Sequence, residues 1–202
     1  VKNNLQVISS LLRLELGRTA EPGVRQVLGE MQNRILSMAL LHETLYRSDD
    51  LSHVDLSRYL DRLVQQIFRS AAPSSGRVTL QVSLAQAAVD LEQAVPCGLL
   101  VTELVSNSLK HAFPDNRSGE IRVTLAPVDE DGMLRLSVDD TGVGLPADFD
   151  ARRAKSLGLV LVSDLARQLR GTLAIGADTG ASFILLFRPR QVAVSRPPEA
   201  SH

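Results

Sequence analysis

Apolar positions along the chain follow two periods, one near 3.6 residues and one near 2. Val1, Leu5, Ile8 and Leu12 recur at steps of four, three and four, with Leu11 widening the stripe, which predicts an amphipathic helix. Gly17 to Gly23, with Pro22, reads as a turn. Val24, Leu28, Met31, Ile35, Met38, His42 and Leu45 then form a heptad seam up to about Tyr46. Two such helices cannot bury their stripes on one neighbour each. The expected solution is a second copy of the chain, giving a homodimeric four-helix bundle.

Ser48 to Ser52 is a polar linker, and the texture changes after it. Asp55 to Ser70 carries one apolar side (Leu56, Tyr59, Leu60, Leu63, Val64, Ile67) and reads as a helix, followed by a loop over 71–76. Alternation over Arg77 to Leu84 predicts a strand, with a short second one at Ala88 to Leu91. Helices are predicted over Leu99 to Ala112 and Leu159 to Leu169. Strands are predicted over Ile121 to Leu125, Leu134 to Val138, Thr172 to Ile175 and Ser182 to Phe187. The fold class is α+β: a helical hairpin followed by an α/β sandwich, one mixed sheet under helices. The expected organisation is a hairpin over 1–50, a second domain over 51–190 and a disordered tail over 191–202.

Composition narrows the possible roles. Among 202 residues, 22 Lys and Arg face 23 Asp and Glu, a net charge of -1 that argues against a nucleic-acid footprint. A hydrophobic share of 44% is enough for a packed core. Cys97 stands alone, which excludes an internal disulfide framework and fits a reducing, cytoplasmic setting; it reads as a buried small hydrophobe. No apolar run reaches the roughly 20 residues needed to cross a bilayer, so no membrane contact is expected of this segment. The chain opens on Val1 without a signal-peptide pattern and reads as part of a longer protein.

Four places could carry chemistry. Glu103, Asn107, Lys110 and His111 fall at i, i+4, i+7 and i+8 of one helix and share a face. Such a face suits plain solvation. It equally suits phosphate and metal: the Asn amide oxygen is a hard ligand for Mg²⁺, Lys a point charge for phosphate, and Glu a group to orient or deprotonate a nucleophile. Asp139-Asp140-Thr141-Gly142-Val143-Gly144 ends a strand in carboxylates and glycines. It is either a tight turn or a close-approach loop whose carboxylate accepts from the amino group of adenine. Gly158 opens an apolar helix, an ordinary helix start or an anion site. Gly180-Ala181-Ser182-Phe183 is a small-residue start to a strand.

The order of these four places resembles the histidine-kinase and gyrase-like ATPase superfamily. Glu103 to His111 is similar to its N box, Asp140 to Gly144 to its first glycine box, Gly158-Leu159 to its second, and Gly180 to Phe183 to its last. Val1-Lys2-Asn3-Asn4-Leu5-Gln6 and Ser37 to Glu43 resemble the dimerisation hairpin of a histidine-kinase group related to the HWE kinases. Thr102, where those kinases have a histidine, and the lack of tryptophan depart from the strict HWE pattern. The resemblance implies a two-component sensor kinase, moving the γ-phosphoryl of ATP to a histidine and then to a response-regulator receiver aspartate.

Residue by residue, the resemblance implies that Asn107 holds Mg²⁺ and Glu103 helps activate the acceptor imidazole. Lys110 and His111 contact phosphate, and Asp140 binds the adenine amino group. Gly142 and Gly144 shape the pocket, Gly158 presents helix amides to phosphate, and Ser182 lies near adenine. Lys155 is a further lid candidate for phosphate. The family's acceptor lies just upstream of Val-Lys-Asn-Asn, so this segment is expected to lack it and not to phosphorylate itself. His42 reads as a register-setting seam residue. The rival readings are a serine/threonine kinase of the anti-sigma type and a non-catalytic ATP-gated dimer.

Overall fold

A computed structural model describes residues 2–46, 53–72, 76–128, 132–150, 155–177 and 179–190. Two helices, α1 (Lys2–Arg18) and α2 (Pro22–Tyr46), form the expected hairpin, with Pro22 opening α2, where its missing N–H costs nothing. The linker expected at 48–52 and the tail at 191–202 lie outside the described residues.

Helix α3 (Leu56–Ala71) starts at Asp55, whose side chain accepts from the Arg58 amide. It buries Leu56, Tyr59, Leu60, Leu63, Val64 and Ile67, the stripe read from the sequence. Helix α4 runs Leu91–His111, capped by Asp90 accepting from the Gln93 amide. It begins two turns before the expected Leu99 and carries Pro96 inside. Burial decides this, since Ala94, Cys97 and Leu100 all lie in the core. Helix α5 spans Leu157–Gln168, with the Ser156 hydroxyl as its cap.

The sheet contains β2 (Val78–Leu84), β4 (Gly119–Pro127), β5 (Leu134–Asp140), β6 (Thr172–Ala177) and β7 (Ala181–Phe187), ordered β2-β4-β5-β7-β6. Only β2 and β4 are parallel, joined by the α4 crossover; the other pairs are antiparallel. The expected strand at Ala88 to Leu91 shortens to β3 (Ala88–Val89). It pairs with β1 (Val54–Asp55) outside the main sheet.

Ile121, Val123, Leu125, Leu136, Val138, Phe183, Leu185 and Phe187 alternate inward beneath α3, α4 and α5. This is the expected mixed sheet under helices. The hairpin joins it through α2, which buries Ser37, Leu40 and Leu41. Tyr59 links the two parts: its hydroxyl donates to the Ser37 carbonyl, and a β-carbon at Gly98 would lie only 1.9 Å from that hydroxyl oxygen and 2.6 Å from the ring. The heptad seam keeps Val24, Met31 and Met38 exposed.

Candidate nucleotide site

A cavity of about 460 Å³ opens between α4, the end of β5 and the start of α5. Asp140, 6% exposed, forms its polar floor. The Gly142 and Ala181 amides donate to Asp140 Oδ1 at 3.0 and 3.1 Å, and the Ser108 hydroxyl to Oδ2 at 2.8 Å. Three donors fix the carboxylate, and a lone pair on Oδ2 is still available for one more. Leu104, Leu145, Phe183 and Phe149 give apolar walls; the two phenylalanine rings meet edge-on at 6.3 Å. A flat aromatic base carrying an amino group fits such a site, apolar on its faces with one acceptor at its floor.

The glycines let the chain pass close. A β-carbon at Gly142 would lie 2.3 Å from the Ala112 carbonyl oxygen, and one at Gly180 only 1.9 Å from that of Asp140. Gly144 lines the cavity at φ 79°, the left-handed region. Had the motif been only a tight turn, nothing would require the contact between Gly142 and α4.

The predicted α4 stripe is split. Asn107 and His111 line the cavity, as does Ser108, which the sequence reading missed because a serine beside an N box carries no signal of its own. Glu103 and Lys110 turn instead to the hairpin. Arg34 Nε donates to Glu103 Oε1 at 2.6 Å, and Lys110 Nζ to Glu30 Oε1 at 2.7 Å. Between them Asn33 Nδ2 donates to the Ser106 hydroxyl at 3.3 Å. Along α2 the apolar seam is the dominant periodic signal, and the polar positions Glu30, Asn33 and Arg34, at i, i+3 and i+4, are the local mark of this contact.

These contacts move pKa values. Burial alone would raise the Glu30 carboxyl, but hydrogen bonds from Lys110 and Gln26, with the charges of Lys110 and Arg34, hold it below the usual range. His111 is lowered, first by burial and then by the adjacent Lys110 charge, with Glu30 opposing, which favours the neutral imidazole. The Arg34 guanidinium is raised, chiefly by its hydrogen bond to Glu103.

Gly158 stands in the first turn of α5, where a β-carbon would come within 2.9 Å of Glu103 Oε2. The helix start therefore abuts the Glu103 carboxylate. Ser182 is a correction. Along β7 only Ala181 and Phe183 reach the cavity, and the Ser182 hydroxyl bonds Asp139 on the opposite face, because strand side chains alternate. Lys155 is exposed and absent from the cavity lining; residues 151–154 of the lid lie outside the described residues. No cluster of three His, Cys, Asp or Glu side chains occurs among the described residues. Neither does a helix long and apolar enough to cross a membrane.

Comparison with known proteins agrees with this layout. A histidine kinase family model matches residues 1–71, and a model of histidine kinase-, DNA gyrase B- and HSP90-like ATPases matches 92–191. The sensor histidine kinase PdtaS of Mycobacterium tuberculosis (strain H37Rv) is 34% identical over 176 residues, covering 87% of this chain and 34% of that protein. The chain thus spans about a third of that relative's length. The anti-sigma F factor of Geobacillus kaustophilus is 31% identical over 85 residues, 42% of this chain and 57% of that one. Among solved structures, the histidine kinase domain of the Erythrobacter litoralis EL346 blue-light activated histidine kinase superposes with a TM-score of 0.71. It is 22% identical and covers 93% of this chain and 94% of that one, a likeness of fold. The two family matches, one over the hairpin and α3 and the other from α4 through the rest of the cavity-bearing sandwich, make this chain a member of the histidine kinase family with an ATP-binding domain of the gyrase B and HSP90 type.

Proposed function

We propose that this chain is the kinase core of a two-component sensor, binding Mg²⁺-ATP and serving transfer of the γ-phosphoryl to a histidine and on to a receiver-domain aspartate. The observation that carries the reading is Asp140, buried at the cavity floor and fixed by two backbone amides and a hydroxyl. Asp140 accepts from the adenine amino group, and the apolar walls sandwich the ring. Asn107 and His111, farther along α4, face the phosphates; neutral His111 donates a hydrogen bond without a full charge. Asn107 would hold Mg²⁺ through its amide oxygen, and the ion neutralises phosphate charge when bound. In the reaction the acceptor imidazole nitrogen forms a bond to the γ-phosphorus as the bond to the β-phosphate oxygen breaks. Glu103 takes the imidazole proton and ADP leaves. The proposed organisation keeps a hairpin over 1–50 apart from the ATP-binding part over 51–190.

The hairpin supports a homodimer. Val7, Leu11, Leu14, Val27, Met31 and Met38 are 41–62% exposed and line α1 and α2 away from the sandwich. Met31→Glu should convert the dimer to monomer in sedimentation; a monomeric parent protein would end this part of the reading. An anti-sigma-type serine/threonine kinase is disfavoured by the histidine-kinase match over residues 1–71 and by the short reach of the anti-sigma similarity.

The central test is calorimetric titration with ATP. Binding is expected with Mg²⁺ and should weaken about tenfold or more in Asn107→Ala. Absence of heat and of thermal protection would end the nucleotide reading. With γ-labelled ATP and a histidine-bearing acceptor, the label should be acid-labile; acid-stable label would favour serine or threonine.

A further inference from the structure

Glu103, to which the proposed chemistry gives the imidazole proton, and Lys110, which the family resemblance places on phosphate, are both engaged by the hairpin. Glu30, Asn33 and Arg34 occupy one turn of α2 and meet Lys110, Ser106 and Glu103 in reverse order, so the two helices cross this face antiparallel. Lys110 gives an N–H donor to Glu30 at 2.7 Å and Glu103 Oε1 accepts from Arg34 at 2.6 Å, so a hairpin residue competes for each group. We infer that α2 is a latch on the chemical end of the site, and that the triphosphate of the nucleotide opens it by competing with Glu30 for Lys110. This rests on the kinase reading above and deepens it to regulation of the same site.

The two pairs differ in the way a latch requires. Glu103 is 5% exposed and its bond to Arg34 is sheltered. The side chains of Lys110 and Glu30 keep 31% and 22% exposure, so ligand can reach this pair from solvent. The outer pair is therefore the one a ligand contests first. The closed state is also incompletely satisfied. Arg34 Nη2 is buried without a hydrogen-bond partner among the described residues, so only part of the guanidinium fork is used. A polyanion replaces one carboxylate with several charged oxygens around Lys110, and binding linkage then requires that loosening α2 tighten the polyanion equally. Adenosine, with the same base and no phosphates, has no reason to feel α2.

Titrating the protein with ATP and with adenosine, both in Mg²⁺, tests this. Glu30→Gln should tighten ATP about fivefold to tenfold while leaving adenosine unchanged. In a Lys110→Met background the same substitution should do nothing. On the unaltered protein, ATP but not adenosine should speed amide exchange across residues 30–40 of α2. Equal tightening of both ligands, an ATP affinity indifferent to Glu30→Gln, or unchanged α2 exchange would overturn the latch while leaving the nucleotide reading intact. Failure of every variant to bind either ligand would overturn both.

Discussion

Glu103, on α4, and Asp140, at the end of β5 beside it, are carboxylates buried to the same degree, 5% and 6% exposed, yet they are held in opposite ways. Asp140 is gripped by two backbone amides and a serine from its own sandwich. Its partners cannot leave without undoing β5, β7 or α4. Glu103 is held by one arginine from a helix some seventy residues earlier in the chain, across the contact between α2 and α4. The contrast separates recognition from chemistry. The end proposed to read the base is built into the fold. The end that would act on phosphate depends on where the hairpin sits.

The comparison can be broken at several points, the largest first. Gly180→Val would drive a β-carbon into the Asp140 carbonyl and should lower stability by about 3 kcal/mol or more, read as a fall in Tm. A small shift there would mean that the Asp140 cradle is softer than described. Next, Arg34→Met strands a buried carboxylate and should cost about 2 kcal/mol. Adding Glu103→Leu should recover most of that loss in denaturant unfolding, because an interface pair can be replaced whole.

Ser108→Ala should cost about 1 kcal/mol and weaken ATP a few-fold, since the two amides still hold Asp140. The smallest effect concerns His111. Its folded pKa lies below the ordinary 6.5, so the unfolded chain takes up that proton first. Stability should therefore fall as pH drops below about 6.5, with no contribution above it, and the slope should level once the folded imidazole also protonates. His111→Gln should flatten that part of the stability–pH curve; an unchanged curve would remove His111 as its source.

Much of the frame was legible beforehand, for a physical reason. Apolar stripes on α3 and alternation along β4, β5 and β7 are local signals of which face is buried, and burial drives each element. Asp140 with its glycines was legible because close backbone approach restricts residue type. The start of α4 was misjudged because Pro96 and Gly98 discourage helix locally, while core burial of Ala94 and Cys97 outweighs them. Ser182 was misassigned because a motif names neighbours in sequence, whereas strand alternation sends them to opposite faces.

By itself the sequence determined the hairpin, the mixed sheet under helices and the carboxylate at the turn after β5, since each follows from periodicity or steric need within a few residues. Only the tertiary structure decided that Glu103 and Lys110 face Arg34 and Glu30, while Asn107 and His111 face the cavity. That choice depends on which helix packs on which side of α4, and a long-range packing angle leaves no mark on local spacing.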